Sequence, residues 1–147
     1  MGVLLVRHSD AVPESAEIDD AARWLSARGR TPPLASAHAL LAKGLSFDRF
    51  VASPRVRAIQ TAELYARVLG LAGEVESLPA LSFSVAARAG IAALASLRGN
   101  VAAFGHMPTL AETVRGLGNE PSARALATSE AVWIEDGRVV FRLSPSD

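Results

Sequence analysis

The chain has 147 residues, half of them apolar and a fifth charged, with Lys plus Arg equal to Asp plus Glu and a formal net charge of zero. That is enough chain to bury a continuous core as one domain over residues 1–147 without disulfide or metal staples, and the composition is far from that of a disordered chain. The balanced charge argues against nucleic acid as a partner, and the absence of cysteine excludes disulfides, a thiol nucleophile and thiolate metal sites.

The first apolar run, Met1 to Val6, has strand length and β-branched character and stops on Arg7 and His8. It is too short for a signal-peptide core, and no later stretch approaches the roughly 18 apolar residues of a spanning helix, so a cytoplasmic protein that engages no membrane is expected. Ala11 to Asp20 reads as a polar surface loop. "DDAARWLSARG" reads as a short helix capped by Asp19 or Asp20, with Ala22, Trp24 and Leu25 on its apolar face and Gly29 at its exit.

A second helix starts near Pro32 or Pro33 and stops at Gly44. "FDRFVAS" is a strand, and "PRVRAIQTAELYARVLG" is a long helix with Pro54 in its first turn and Gly70 at its end. "EVESLPAL" reads as a short strand running into a loop, and "SVAARAGIAALASLRG" as a helix finishing at Gly99. "NVAAFGHMPTLAETVRGLG" gives strand then helix once more, with Gly105 and His106 at the junction and Pro108 opening the helix. "EAVWIEDGRVVFRL" closes as two strands around Asp136-Gly137, a hairpin turn signal. Strands alternating with helices predict a three-layer α/β/α sandwich with a mostly parallel central sheet and a C-terminal β-hairpin.

Three strands end on polar residues: Val6 before Arg7-His8, Ala52 before "SPRVRAIQT", and Phe104 before Gly105-His106. In open α/β sheets ligands lie outside the carboxyl ends of the strands, so the three junctions can converge on one pocket. The charges suit an anion. With Arg57 on the first turn of its helix, its guanidinium fork and the helix's positive end point to the same place, and Arg55 is assigned to the solvated face.

On these residues the chain resembles the histidine phosphatase superfamily, in the phosphoglycerate mutase-like branch, and most of all its small SixA-like phosphohistidine phosphatases. "LLVRHSDA" is similar to the family's Arg-His motif, "LSARGR" to its Leu-Thr/Ser-x-x-Gly element, "ASPRVRAIQTAE" to its Ser-Pro-x-x-Arg-Ala-x-Gln-Thr block and "GHMPTL" to its Gly-His-x-Pro block, all in the family's order. Ser9 stands where a glycine is common.

The resemblance implies that His8 is a nucleophile forming a phosphohistidine that water hydrolyses. It further implies that Arg7, Arg57 and an imidazolium at His106 neutralise the non-bridging oxygens of a bound phosphoryl group, with no metal and no cofactor required. The substrate it implies is a phosphorylated one, foremost a phosphohistidine protein. Many members carry a glutamate general acid near Ala80, and here no residue from Ala80 to Ala87 is acidic. Losing a positioned acid costs about 10² to 10⁴ in rate where the leaving group needs a proton, which tilts the reading from alkyl phosphates toward phosphohistidine. Asp10, two residues from His8, is a conceivable substitute. Two alternatives stand beside this reading: a catalytically weak phosphate-binding or interaction module, and a phosphomonoesterase for small metabolites.

Overall fold

Val3 to Val6 form the middle of strand β1 (Gly2–Arg7), and Leu4, Leu5 and Val6 are wholly buried because the strand has helices on both of its faces. The computed structural model describes residues 1–71, 73–82 and 84–145. In chain order β1 is followed by α1 (Pro32–Ala42), β2 (Arg49–Ala52), α2 (Val56–Leu69), β3 (Glu76–Ser77), α3 (Ala87–Ala95), β4 (Val101–Gly105), α4 (Thr109–Leu117), β5 (Ala131–Glu135) and β6 (Arg138–Leu143). The sheet order is β3-β2-β4-β1-β5-β6, parallel from β3 to β1 and antiparallel from β1 to β6.

The period-2 alternation of the strands sorts the core into two halves. Leu4, Val6, Phe50, Ala52, Phe104 and Trp133 pack with Ala37 and Leu40 of α1 and Ala58, Ala62 and Tyr65 of α2. Leu5, Val51, Val101, Ala103, Val132 and Ile134 pack on the other face with Leu94 of α3 and Leu110 and Val114 of α4. The result is the expected α/β/α sandwich. At the hairpin tip Asp136 and Gly137 both have positive φ, 50° and 75°, as a two-residue turn matched to strand twist requires. Among the described residues, no helix is long and apolar enough to cross a membrane.

Several boundaries move. The long helix α2 begins at Val56, so Pro54 precedes it instead of lying in its first turn, and α3 ends at Ala95, short of Gly99. The larger correction is at "DDAARWLSARG", which is no helix: it makes only two 3₁₀ turns, Asp20–Ala22 and Arg28–Arg30. Its backbone has partners elsewhere in the fold. Leu25 bridges Ala11 in an antiparallel contact, Val12 N donates to Trp24 O, Leu25 N to Gln60 Oε1, and Arg57 Nη1 to Asp20 O. Leu25 is buried while Trp24 is 42% exposed, the alternation of an extended segment. Gly29 is no helix exit either, because a Cβ there would run into the backbone carbonyl of Asp10.

A buried carboxylate fixes the far side of β1. Glu130, 1% exposed, accepts from Arg124 Nη2 at 2.7 Å and from Ala127 N–H at 2.7 Å, and its own carbonyl accepts from Arg7 N at 3.0 Å. Burial alone would raise its pKa, yet Arg124, the Ala127 N–H and Arg142 hold it below the usual carboxylate value. A depressed carboxylate pKa stabilises the fold above the unfolded value and stops doing so as pH falls through the folded value. Glu130→Gln is expected to cost about 2 to 3 kcal/mol, the scale of hydrogen bonds to charged groups, and chemical denaturation at neutral pH measures it. The difference from wild type should shrink under acid.

Candidate active site

Three strand ends build one cavity. In β1 and β4 the parallel register pairs Val6 with Phe104 and Arg7 with Gly105, so His8 and His106 leave adjacent strands side by side with ring centroids 5.2 Å apart. β2 ends at Ala52, and Ser53 and Pro54 lead into α2, which carries Arg57 in its first turn. A cavity of about 240 Å³ is lined by Arg7, His8, Asp20, Arg57, His106 and Met107. All four residues singled out in the sequence, Arg7, His8, Arg57 and His106, therefore share it.

The backbone around His8 is tied on three sides. His8 N donates to Gly105 O at 3.1 Å, Ser129 N donates to His8 O at 3.2 Å, and Ser9 N donates to Thr61 Oγ1 at 3.0 Å. Thr61 in turn donates to Arg57 O at 2.8 Å, which links the loop to the helix carrying the arginine. Arg7 Nη1 donates to Leu126 O at 2.9 Å.

These ties fix the ring chemistry. His8 Nδ1 lies 2.7 Å from Ser9 O, and a carbonyl only accepts, so Nδ1 carries the ring proton and Nε2 keeps its lone pair. Arg57 Nε donates toward that Nε2 at 3.4 Å. Burial pushes the His8 pKa from 6.5 to about 4; the Ser9 hydrogen bond resists, and Arg57 and Arg7 add to the fall. At neutral pH His8 is a neutral imidazole whose Nε2 lone pair faces a guanidinium donor.

His106 Nε2 lies 2.8 Å from Ser53 Oγ. Burial, then the neighbouring His8, Arg57 and Arg55, push its pKa to about 3, with Asp20 opposing. The imidazolium expected at His106 is therefore not present in the unliganded site at neutral pH. The positive charge there belongs to the arginines.

The placements of one arginine and one aspartate differ from expectation. Arg55 is not on a solvated face: its side chain is 19% exposed and its Nη1 lies 3.1 Å from Asp20 Oδ2. Asp20, read from the sequence only as a helix cap, is a cavity residue that accepts from Arg23 at 3.0 Å and from Arg57 Nη2 at 3.3 Å as well. Asp10 turns away from the cavity. Its carboxylate accepts from Arg28 Nε at 2.9 Å and Ser26 Oγ at 2.5 Å, and these hydrogen bonds hold its pKa below the ordinary value, so it is no proton donor to a leaving group. Ala80 lies in the 3₁₀ turn Pro79–Leu81, whose Leu81 carbonyl would be 3.7 Å from a Cβ on Gly105. That places the turn beside the strand end bearing His106. Phe83, in the stretch that lacks an acidic residue, lies outside the described residues. Among the described residues, no group of three or more His, Cys, Asp or Glu side chains is placed to hold a metal ion.

Neither a protein-family model nor a curated protein matches the chain. Solved structures do. The protein histidine phosphatase SixA in complex with tungstate has a TM-score of 0.90 and 26% identity, covering 99% of this chain and 98% of its own. A chain assigned as the phosphohistidine phosphatase SixA of Agrobacterium tumefaciens has a TM-score of 0.84 and 21% identity, covering 98% and 97%. A phosphoserine phosphatase variant of Entamoeba histolytica in complex with phosphoserine has a TM-score of 0.69 and 14% identity, covering 98% and 97%. The chain has the fold of the histidine phosphatase superfamily. Among such folds it is similar to the SixA structures.

The neutral state of both histidines has a measurable sign. Between about pH 4 and 6.5 an unfolded His8 is protonated while the folded one is not, so the unfolded chain binds more protons and stability falls as pH drops through that window. Histidine-resolved NMR titration should show His8 and His106 with midpoints near 4 and 3, and His106→Ala should flatten the acid-side loss of stability. A midpoint near 6.5 for either ring would contradict the burial argument.

Proposed function

We propose that the chain, acting as one domain, is a SixA-like phosphatase that works through a phosphohistidine on His8, with phosphohistidine proteins as its substrate class. The observation that carries this is the His8 ring: Nδ1 holds a proton against Ser9 O, and Nε2 points its lone pair at Arg57. In the first step Nε2 attacks phosphorus and a P–N bond forms as the bond to the leaving group breaks. Arg57 and Arg7 meet the charge on the non-bridging oxygens, and an arriving dianion draws a proton onto His106 by raising its pKa. In the second step water attacks phosphorus, the P–Nε2 bond breaks, and inorganic phosphate leaves with His8 neutral again. The charge neutralisation is done by guanidiniums, so the scheme needs no metal and no cofactor.

The leaving group supports the substrate class. Asp20, the carboxylate lining the cavity, has a lowered pKa: desolvation would raise it, but Arg23, Arg57 and Arg55 overcome that. It stays ionised and cannot protonate an alkoxide. A phosphoramidate whose ring carries a proton leaves as neutral imidazole and needs no enzyme acid. The SixA neighbour is described as a protein histidine phosphatase, which agrees with that chemistry.

His8→Ala is expected to abolish turnover, and quenching wild type with labelled substrate should trap an acid-labile phosphohistidine. Label on an acid-stable residue, or full activity in the alanine variant, would overturn the nucleophile assignment. Arg57→Ala should lose about 2 to 4 kcal/mol of transition-state stabilisation in kcat/KM, the scale of one preorganised donor. In a substrate panel, phosphohistidine peptides and activated aryl phosphates should turn over far faster than alkyl phosphates, phosphoserine included. Ala80→Glu should raise the alkyl rates selectively, by about tenfold. A flat dependence on leaving group would refute the substrate class, and anion binding with no turnover on any ester or phosphoramidate would favour the binding-module alternative.

A further inference from the structure

Asp20 occupies the donors that an incoming phosphoryl group has to use. Arg57 is 4% exposed, and all three of its nitrogens are engaged: Nε with His8 Nε2, Nη1 with Asp20 O at 2.7 Å, Nη2 with Asp20 Oδ2 at 3.3 Å. The same Oδ2 lies 3.1 Å from Arg55 Nη1, so one carboxylate oxygen bridges two guanidiniums beside the nucleophile. That is what a non-bridging phosphoryl oxygen would do there. Asp20 itself sits at the end of an exposed loop carrying Glu14, Glu17 and Asp19, and its side chain is 29% exposed.

We propose that Asp20 is an internal competitor of the phosphoryl group, displaced from Arg55 and Arg57 when substrate enters and returning to help expel inorganic phosphate. This rests on the phosphatase reading of the same cavity. Two observations make the exchange feasible. The loop from Pro13 to Asp19 is held by few contacts of its own, chiefly the short turn between Ser15 and Ile18, while the carboxylate is held by arginines that keep their charge in either state. A phosphoryl dianion brings two charges and three acceptor oxygens where Asp20 brings one charge and two, so it wins the donors when bound. Once hydrolysis leaves inorganic phosphate without a covalent tether, the tethered carboxylate competes at an effective concentration that dissociated product cannot match. Asp20 is thus a specificity and release residue. It selects for dianions able to displace it and keeps the product from lingering.

Tungstate binding by titration calorimetry, with inhibition by inorganic phosphate, tests this on wild type, Asp20→Asn and Asp20→Ala. Competition predicts tighter tungstate binding in both variants, about tenfold for the alanine or ~1.4 kcal/mol, with the phosphate inhibition constant falling in parallel. Asp20→Asn keeps the side chain's shape and covers the case in which alanine loosens the turn. Unchanged or weaker binding in both variants overturns the competition and makes Asp20 a positioning residue for Arg57, leaving the phosphatase reading intact if wild type turns over phosphoramidate. No tungstate binding in any of the three proteins overturns both.

Discussion

The site depends on the register of two parallel strands. Pairing Arg7 with Gly105 puts the residues that follow, His8 and His106, 5.2 Å apart at the ends of neighbouring strands, although they stand 98 positions apart in sequence. A slip of one residue would turn every side chain of β1 to the opposite face, exchanging Leu4 and Val6 with Leu5 between two separately packed core halves. Burying large apolar side chains contributes on the order of 2 kcal/mol each, so the core fixes the register and the register fixes the chemistry. Backbone ties to Gly105 and Ser129 hold His8 in place, and Ser9 O sets its tautomer. Rigid strands deliver what a mobile loop could not: a lone pair aimed at a guanidinium.

The electrostatics follow from the same confinement. Burial of the two imidazoles, with the nearby guanidiniums adding to it, keeps both rings neutral at neutral pH. On the proposed function, neutral His8 is the nucleophilic form, and burial does most to keep it neutral, with Arg57 and Arg7 adding to the effect. Asp20 plays the counterpart. It balances the guanidiniums of Arg23, Arg55 and Arg57, which uncompensated would repel one another and raise the cost of folding. Its 29% exposure keeps that balance adjustable.

What the sequence made legible was what strands and helices declare locally. The apolar run before Arg7, the Ser53-Pro54 junction and the Gly105-His106 junction each carry a strand-end signal, and α/β topology supplies the rule that brings such ends together. Three features had no such signal. The segment from Asp20 to Gly29 has capping and apolar spacing suited to a helix, but its backbone is claimed by Ala11, Val12, Gln60 and Arg57, and tertiary partners outweigh a local propensity of a few tenths of a kcal/mol per residue. Arg55 precedes the helix as its N-cap residue, so helical-wheel reasoning about its face does not apply. The neutrality of His106 depends on burial and on charges from three other elements, none of which is readable at position 106. Asp20 belongs with the first of these, since its place in the cavity depends on the segment not being a helix.

The missing acid and the ionised carboxylate combine into one argument about chemistry. A site that cleaves alkyl phosphates has to protonate a leaving oxygen, and it needs a carboxylic acid whose pKa is raised toward neutrality. Here the turn that approaches the β4 end offers Ala80, and the carboxyl that does line the cavity is driven the other way by arginines. Raising the pKa of Asp20 would require removing the guanidiniums that, on the proposed function, hold the phosphoryl group, so one arrangement of charge cannot serve both tasks in so small a cavity. A phosphoramidate escapes the conflict because its leaving nitrogen can arrive on a ring already protonated. On the proposed function, the strength of the anion pocket and the narrowness of its substrate class have a single cause, the density of arginine around His8.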